Sequence, residues 1–213
     1  MEKLDSFALN IEFLLISVVQ GVALAALATT ASVLVADLKF ETFAYIISSF
    51  VLILSFWSQA IIHALSFIDW PLDLQHSFLY FLASFIEVMA FSHLDSPLKW
   101  FGFMGIFFIV TVILYFVDLR MIKERKNKFK TKNQEKLYDH ILKQQMYELK
   151  SFLPAAIIFC GFSIFAIAYW PDIFIRQHAH LILITIQTLF GIYVLMTSIG
   201  SYKKRAKLLT DAN

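Results

Sequence analysis

The chain has 213 residues, 59% of them apolar and 23 of them Phe, with a formal net charge of only +2. A mean hydropathy of +0.70 excludes an ordinary soluble domain. A single cysteine, Cys160, excludes an internal disulfide and reads as a small packing residue, and no phosphate loop, dinucleotide fingerprint, zinc spacing or nucleophile elbow is present.

The first apolar run extends from about Ala8 to Ala36. The opening MEKLDSFALNIEF carries acids where a basic region would precede a cleaved leader, so no cleavable signal is expected. Ser17, Gly21, Ala25, Ala28 and Ser32 fall on one stripe of small residues, which lets another backbone approach closely or leaves room for a narrow pore. Gln20 lies deep on a neighbouring face, and Glu12 lies near the end of the run.

After a short loop, residues 43–94 read as a transmembrane hairpin: two apolar helices of about 20 residues joined by a turn containing Trp70-Pro71. Ser55, Gln59, His63 and Ser66 share one face of its first helix, and His76, Tyr80, Ser84 and Glu87 share one face of its second. Folding the hairpin antiparallel predicts rungs of His63 with His76, Gln59 with Tyr80, and Ser55 with Ser84. Unpaired polar groups in hydrocarbon are costly, so these stripes predict either a hydrogen-bonded seam or a hydrated pathway. Glu87 is the deepest acid, placed opposite Leu52 and near Ser49, where a carboxylate needs a partner, a proton or water.

Asp95-Ser96-Pro97 predicts a helix start with proline in its tolerated first turn, followed by a fourth span from about Leu98 to Val117. Gly102 and Gly105 are placed for contact with a neighbour, and Trp100 and Tyr115 at the depth of interfacial aromatic belts. Residues 119–150 then turn basic, and Leu137, Ile141, Met146 and Leu149 keep the spacing of an amphipathic helix. Arg120, Lys123, Arg125, Lys126, Lys128, Lys130 and Lys132, with Lys203, Lys204 and Arg205 of the tail, are candidate docking residues for anionic headgroups or a cytosolic protein. Nucleic acid is not an expected partner, because no aromatic or motif context accompanies the charge.

A fifth span from about Phe152 to Tyr169, entered at Pro154, is almost purely apolar. A second Trp-Pro turn at Trp170-Pro171 leads to a sixth span from about Ala179 to Ile199 and a basic tail. His178 and His180 resemble a metal pair, but residues two apart on a helix point about 200° from each other. They could share a metal only on extended backbone, so no metal and no cofactor is expected.

The expected fold is an all-α polytopic membrane protein of six transmembrane helices. Residues 1–118 hold the first four, 119–150 form a basic cytoplasmic segment, 151–202 hold the last two, and 203–213 form a basic cytoplasmic tail. Lysine and arginine placement predicts both termini on the cytoplasmic face, with a prokaryotic inner membrane as the expected location. The halves also echo each other, Trp70-Pro71 before Gln75-His76 and Trp170-Pro171 before Gln177-His178, which predicts an inverted repeat of three plus three helices.

Gly21-Val22 in the first span, and Tyr45, Ser49-Phe50 and Phe56-Trp57 with a following histidine in the second, carry a resemblance covering under a quarter of the chain. In these features it resembles the six-helix potassium channels of bacteria and endolysosomes that bear a Phe-Ser-Asp motif in their first helix. Val18-Val19-Gln20 stand where that motif would be. The resemblance implies an oligomer whose first helix lines an ion pore.

No reaction class follows from Glu87 and the histidines, so an enzyme is not expected. The leading expectation is a homo-oligomeric membrane protein with a channel- or pore-like core that conducts cations. The second is a membrane-embedded sensor or anchor whose basic loop and tail recruit a cytosolic effector, as in prokaryotic defence or signalling. A small transporter ranks third, since no helix is broken by Gly or Pro at matching mid-membrane positions.

Overall fold

A computed structural model describes residues 2–37, 39–66, 74–125 and 132–210, except for the side chains of residues 2–9, 12, 65, 66, 125, 132–134 and 208–210. The described residues form seven α-helices: α1 (Glu2–Ala36), α2 (Thr42–Ser66), α3 (Leu74–Phe91), α4 (Pro97–Arg125), α5 (Lys132–Tyr147), α6 (Leu153–Tyr169) and α7 (His180–Thr210). Six spans are long and apolar enough to cross a bilayer, the fifth running through α5 and α6. The protein is a multi-pass integral membrane protein.

Local sequence accounts for the helix ends. Pro97 opens α4, as its missing N–H allows. A π-helical turn, Glu148–Phe152, lies immediately ahead of Pro154, which has no N–H to give to the carbonyl of Lys150. A second, Asp172–Arg176, follows Trp170-Pro171. The turn holding Trp70-Pro71 lies outside the described residues.

Several helices outrun the membrane. α4 ends at Arg125 rather than near Val117, and α7 continues to Thr210 instead of stopping near Ile199. At 1.5 Å per residue α7 is about 46 Å long against a hydrocarbon core of about 30 Å. The overhang stands clear at one end of the bundle, and α5 folds against it. Ile122 of α4 with Leu137, Tyr138 and Ile141 of α5 makes a small apolar core there, separate from the main one. Leu137 and Ile141 are thus on the face expected for an amphipathic helix. The end that carries α5 is also where α1 begins and α7 finishes.

The hairpin of residues 43–94 does not close on itself. α2 packs along α7 and α1, and α3 packs along α4 and α1. Of the echo between halves, the α1–α2 seam has a counterpart in α4–α6, whereas the α2–α7 and α3–α4 seams have none of comparable extent. The aromatic-belt expectation fails for two residues. Trp100 is buried and donates from Nε1 to Gln187 Oε1 at 3.2 Å, and Tyr115 is buried beside Glu148. Their polar atoms find partners inside the bundle, so neither needs the headgroup region. Cys160 is buried, and an added methyl on Gly105 would meet its Cβ at 3.6 Å, which bears out its packing role.

Candidate functional site

The predicted rungs exchange partners. Gln59 donates to Ser198 of α7 at 2.6 Å, not to Tyr80. Ser55 donates to its own helix at Val51 (2.8 Å) and to the Gly191 carbonyl of α7 (3.4 Å), not to Ser84. Ser84 instead lies 3.4 Å from Gln20 Nε2, which also reaches Glu87 Oε2 at 3.5 Å. Glu87 is fully buried, and its partner comes from α1, not from Leu52 or Ser49 of α2. Tyr80 stacks on Phe56 with ring centroids 4.9 Å apart. The side chain of Ser66 lies outside the described residues. The physical reason for the exchange is that α1 packs on both α2 and α3 while α7 packs along α2, so each stripe meets a helix other than its hairpin partner.

One rung survives in altered form. His63 and His76 are both buried and both reach Asp118 of α4, His63 Nδ1 at 3.7 Å from Oδ2 and His76 Nε2 at 3.3 Å from Oδ1. Gln145 donates to the same carboxylate at 3.3 Å. Beside it runs a second chain of bonds. Tyr115 donates to Glu148 Oε2 at 2.7 Å, and Gln144 donates to Glu148 Oε1 at 2.8 Å. Gln144 Oε1 in turn accepts from Ser201 and, at 3.3 Å, from Arg205. Asp118, Glu148 and Arg205 are all at most 5% exposed. Removing such charges from water costs several kcal/mol each unless they are paired, which the network provides.

This cluster is the floor of a cavity of about 140 Å³. Its walls on α2 run from Ser48 to Ala64, about 24 Å of helix, and include Ser55, Gln59 and His63. α4 contributes Phe107, Thr111, Tyr115 and Asp118, and α7 contributes Gln187 and Gly191. The lining is apolar for most of its length and polar at the floor. The volume is large enough to hold water.

Comparison of the chain with protein-family models, with curated proteins and with solved structures finds no match. The site therefore stands on its own chemistry.

Sequence reasoning missed Asp118, Gln144, Gln145, Glu148, Ser198 and Ser201. A signal for them exists. Thr111, Tyr115 and Asp118 repeat at four and three residues on α4, and Gln187, Gly191, Ser198, Ser201 and Arg205 keep a seven-residue beat on α7. Both polar stripes were hidden by reading the helices as ending at the membrane surface.

Other candidates separate by location. Ser17, Gly21, Ala25 and Ala28 face outward, and nothing within 4 Å would meet a Cβ on Gly21, while Gln20 alone of that group points inward. Among the basic residues, Lys123, Lys203 and Lys204 are exposed, and exposed Arg120 pairs with Glu124 at 2.9 Å. Arg205 is corrected from docking residue to interior member of the network, because α5 folds over it. The side chains of Arg125 and Lys132, and Lys126, Lys128 and Lys130 altogether, lie outside the described residues.

Proposed function

We propose that this protein has a channel-like core that passes cations, with the proton as the ion the site fits best. The observation that carries this reading is the narrow cavity running along most of the depth of α2 to a floor of His63, His76 and Asp118. Its polar floor and its volume suit water, along which a proton can pass. Intramembrane ionisable groups that face a cavity are functional by default. The buried cluster sets two carboxylates against one guanidinium, so a single proton shared by the imidazoles and Asp118 would bring it to neutrality. The outward stripe of Gly21, Ala25 and Ala28 suits contact with a second copy, and the α5 end is assigned to the cytoplasm of a prokaryotic inner membrane on charge placement.

The test is proton flux. Purified protein in liposomes with an imposed pH gradient and potassium clamped by an ionophore should dissipate the gradient. Asp118→Asn should abolish the flux while eluting as folded protein. A wild-type rate no greater than that of empty liposomes removes the channel reading.

A second reading draws on one further observation: α5 and the π-helical turn that follows it are bonded to the cavity floor, through Gln145–Asp118 and Tyr115–Glu148 respectively. A change of charge in the membrane would thereby be transmitted to the basic segment, as a sensor that recruits a cytosolic effector requires. Reversal of Lys126, Lys128 and Lys130 to Glu should then release a stoichiometric soluble partner from protein purified out of native membranes.

A further inference from the structure

At the end of the bundle opposite α5, three groups that the helical reading separated come together. The π-helical turn after Pro171 delivers the chain to His178, whose φ of 58° makes it the one non-glycine residue with a positive φ among the described residues. Histidine tolerates this left-handed conformation better than most residues, yet it still costs free energy and tends to persist where a site demands it. The break means that α7 begins at His180, so the two histidines are not two positions on one helix. Both imidazoles turn toward Glu41, in the loop that leads into α2. His178 Nδ1 lies 2.9 Å and His180 Nε2 lies 3.6 Å from the same carboxylate oxygen, Oε2. All three potential ligand atoms lie within 4.8 Å of one another.

We propose that Glu41, His178 and His180 bind a zinc ion. Zinc takes imidazole nitrogen and carboxylate oxygen at about 2.0–2.2 Å, which puts tetrahedral neighbours about 3.3 Å apart. The observed separations of 2.9 and 3.6 Å bracket that figure. Two neutral imidazoles and one carboxylate suit a borderline ion such as zinc and are a poor set for calcium or magnesium, which prefer oxygen. Two histidines set against one glutamate need no metal, but the surroundings go further than that pairing requires. The other ring nitrogen of His180, Nδ1, is 3.0 Å from the hydroxyl of Tyr45. That contact would fix the ring and its tautomer, as outer partners of metal-bound histidines do. Tyr45 is itself immobilised, buried and edge-on to Trp100 with ring centroids 5.6 Å apart. His180 is buried, whereas Glu41 and His178 are about half exposed, so a fourth position opens to water. Nearby Arg176 is taken up by Asp172 at 3.0 Å and does not compete for Glu41. The ion would clamp the start of α2 to the start of α7, at the head of the seam that lines the cavity. The site is independent of whether that cavity conducts.

The experiment uses the full chain in detergent, purified with a tag free of histidine and stripped by a chelator. Zinc alone is titrated against a coloured chelator, and cobalt is added separately to read its visible spectrum. One zinc per chain, a raised Tm with zinc but not magnesium, and cobalt bands of tetrahedral type are expected. Glu41→Gln and His178→Asn should each weaken zinc by at least about 100-fold, and asparagine tolerates the left-handed backbone, so that variant should fold. Tyr45→Phe should weaken zinc by about 10–100-fold without abolishing it. Absence of stoichiometric zinc uptake overturns the proposal, and so does uptake that persists undiminished in His178→Asn.

Discussion

The His76 imidazole lies 3.3 Å from Asp118, Nε2 to Oδ1, and this contact joins the third span to the fourth at the floor of the cavity. Asp118 stands twenty-one residues into α4, about 32 Å along the helix from Pro97, which puts it at the edge of a hydrocarbon core of about 30 Å. Its carboxylate is buried, lining the cavity on one side and bonded to Gln145 of α5 on the other.

Asp118→Ala leaves Gln145 and two imidazoles without their common acceptor. Each buried polar group so orphaned costs roughly 1–3 kcal/mol, and a loss of several kcal/mol in total is expected. Asp118→Asn keeps an acceptor and should cost less than Asp118→Ala, although it should stop proton flux. Denaturation in mixed micelles ranks the two. The opposite order would show that Asp118 is not the shared acceptor.

Arg205 and Lys204 are neighbours with opposite fates, one 2% exposed and bonded to Gln144, the other exposed. Arg205→Ala should loosen α5 from α7 and speed limited proteolysis within residues 119–150. Lys204→Ala should leave the cleavage pattern unchanged. Equal cleavage of the two variants would mean that α5 is held by its apolar face alone.

At Gly191 α7 lies close against α2: a Cβ there would meet Val51 Cγ1 at 3.0 Å. Gly191→Ala should therefore cost about 1–2 kcal/mol relative to Gly161→Ala, whose added methyl meets nothing within 4 Å and gains helix propensity. Val51→Ala should restore the Gly191→Ala protein at least in part. Failure of that rescue in a double-mutant cycle would place the strain elsewhere.

Gly21, Ala25 and Ala28 face out of the bundle, so Gly21→Leu should not lower the stability of a single chain. If a second copy packs on this stripe, the substitution should shift the protein to a smaller species in light scattering. An unchanged mass would leave the stripe facing lipid.

Six membrane crossings were legible from the chain alone, because a run of about 20 apolar residues has few alternatives to spanning a bilayer. The polar residues of α2 and α3 were also legible as inward-facing stripes, since period fixes which side chains share a face. Their partners were not. Gln59 bonds Ser198 because α7 packs along α2, and Glu87 meets Gln20 because α1 packs along α3; spacing within a helix says nothing about which helix lies opposite. Arg205 reads as a docking charge of the tail and Asp118 lies just past the expected end of the fourth span, and only the fold of α5 against the α4 and α7 overhangs makes them interior. His178 and His180 were separated by assuming one helix, whereas a left-handed backbone at His178 turns both toward Glu41. Hydrophobic length and periodicity are local properties of the chain. The pairing of polar groups is decided by long-range packing, where a buried charge without a partner costs more than any local preference can offset.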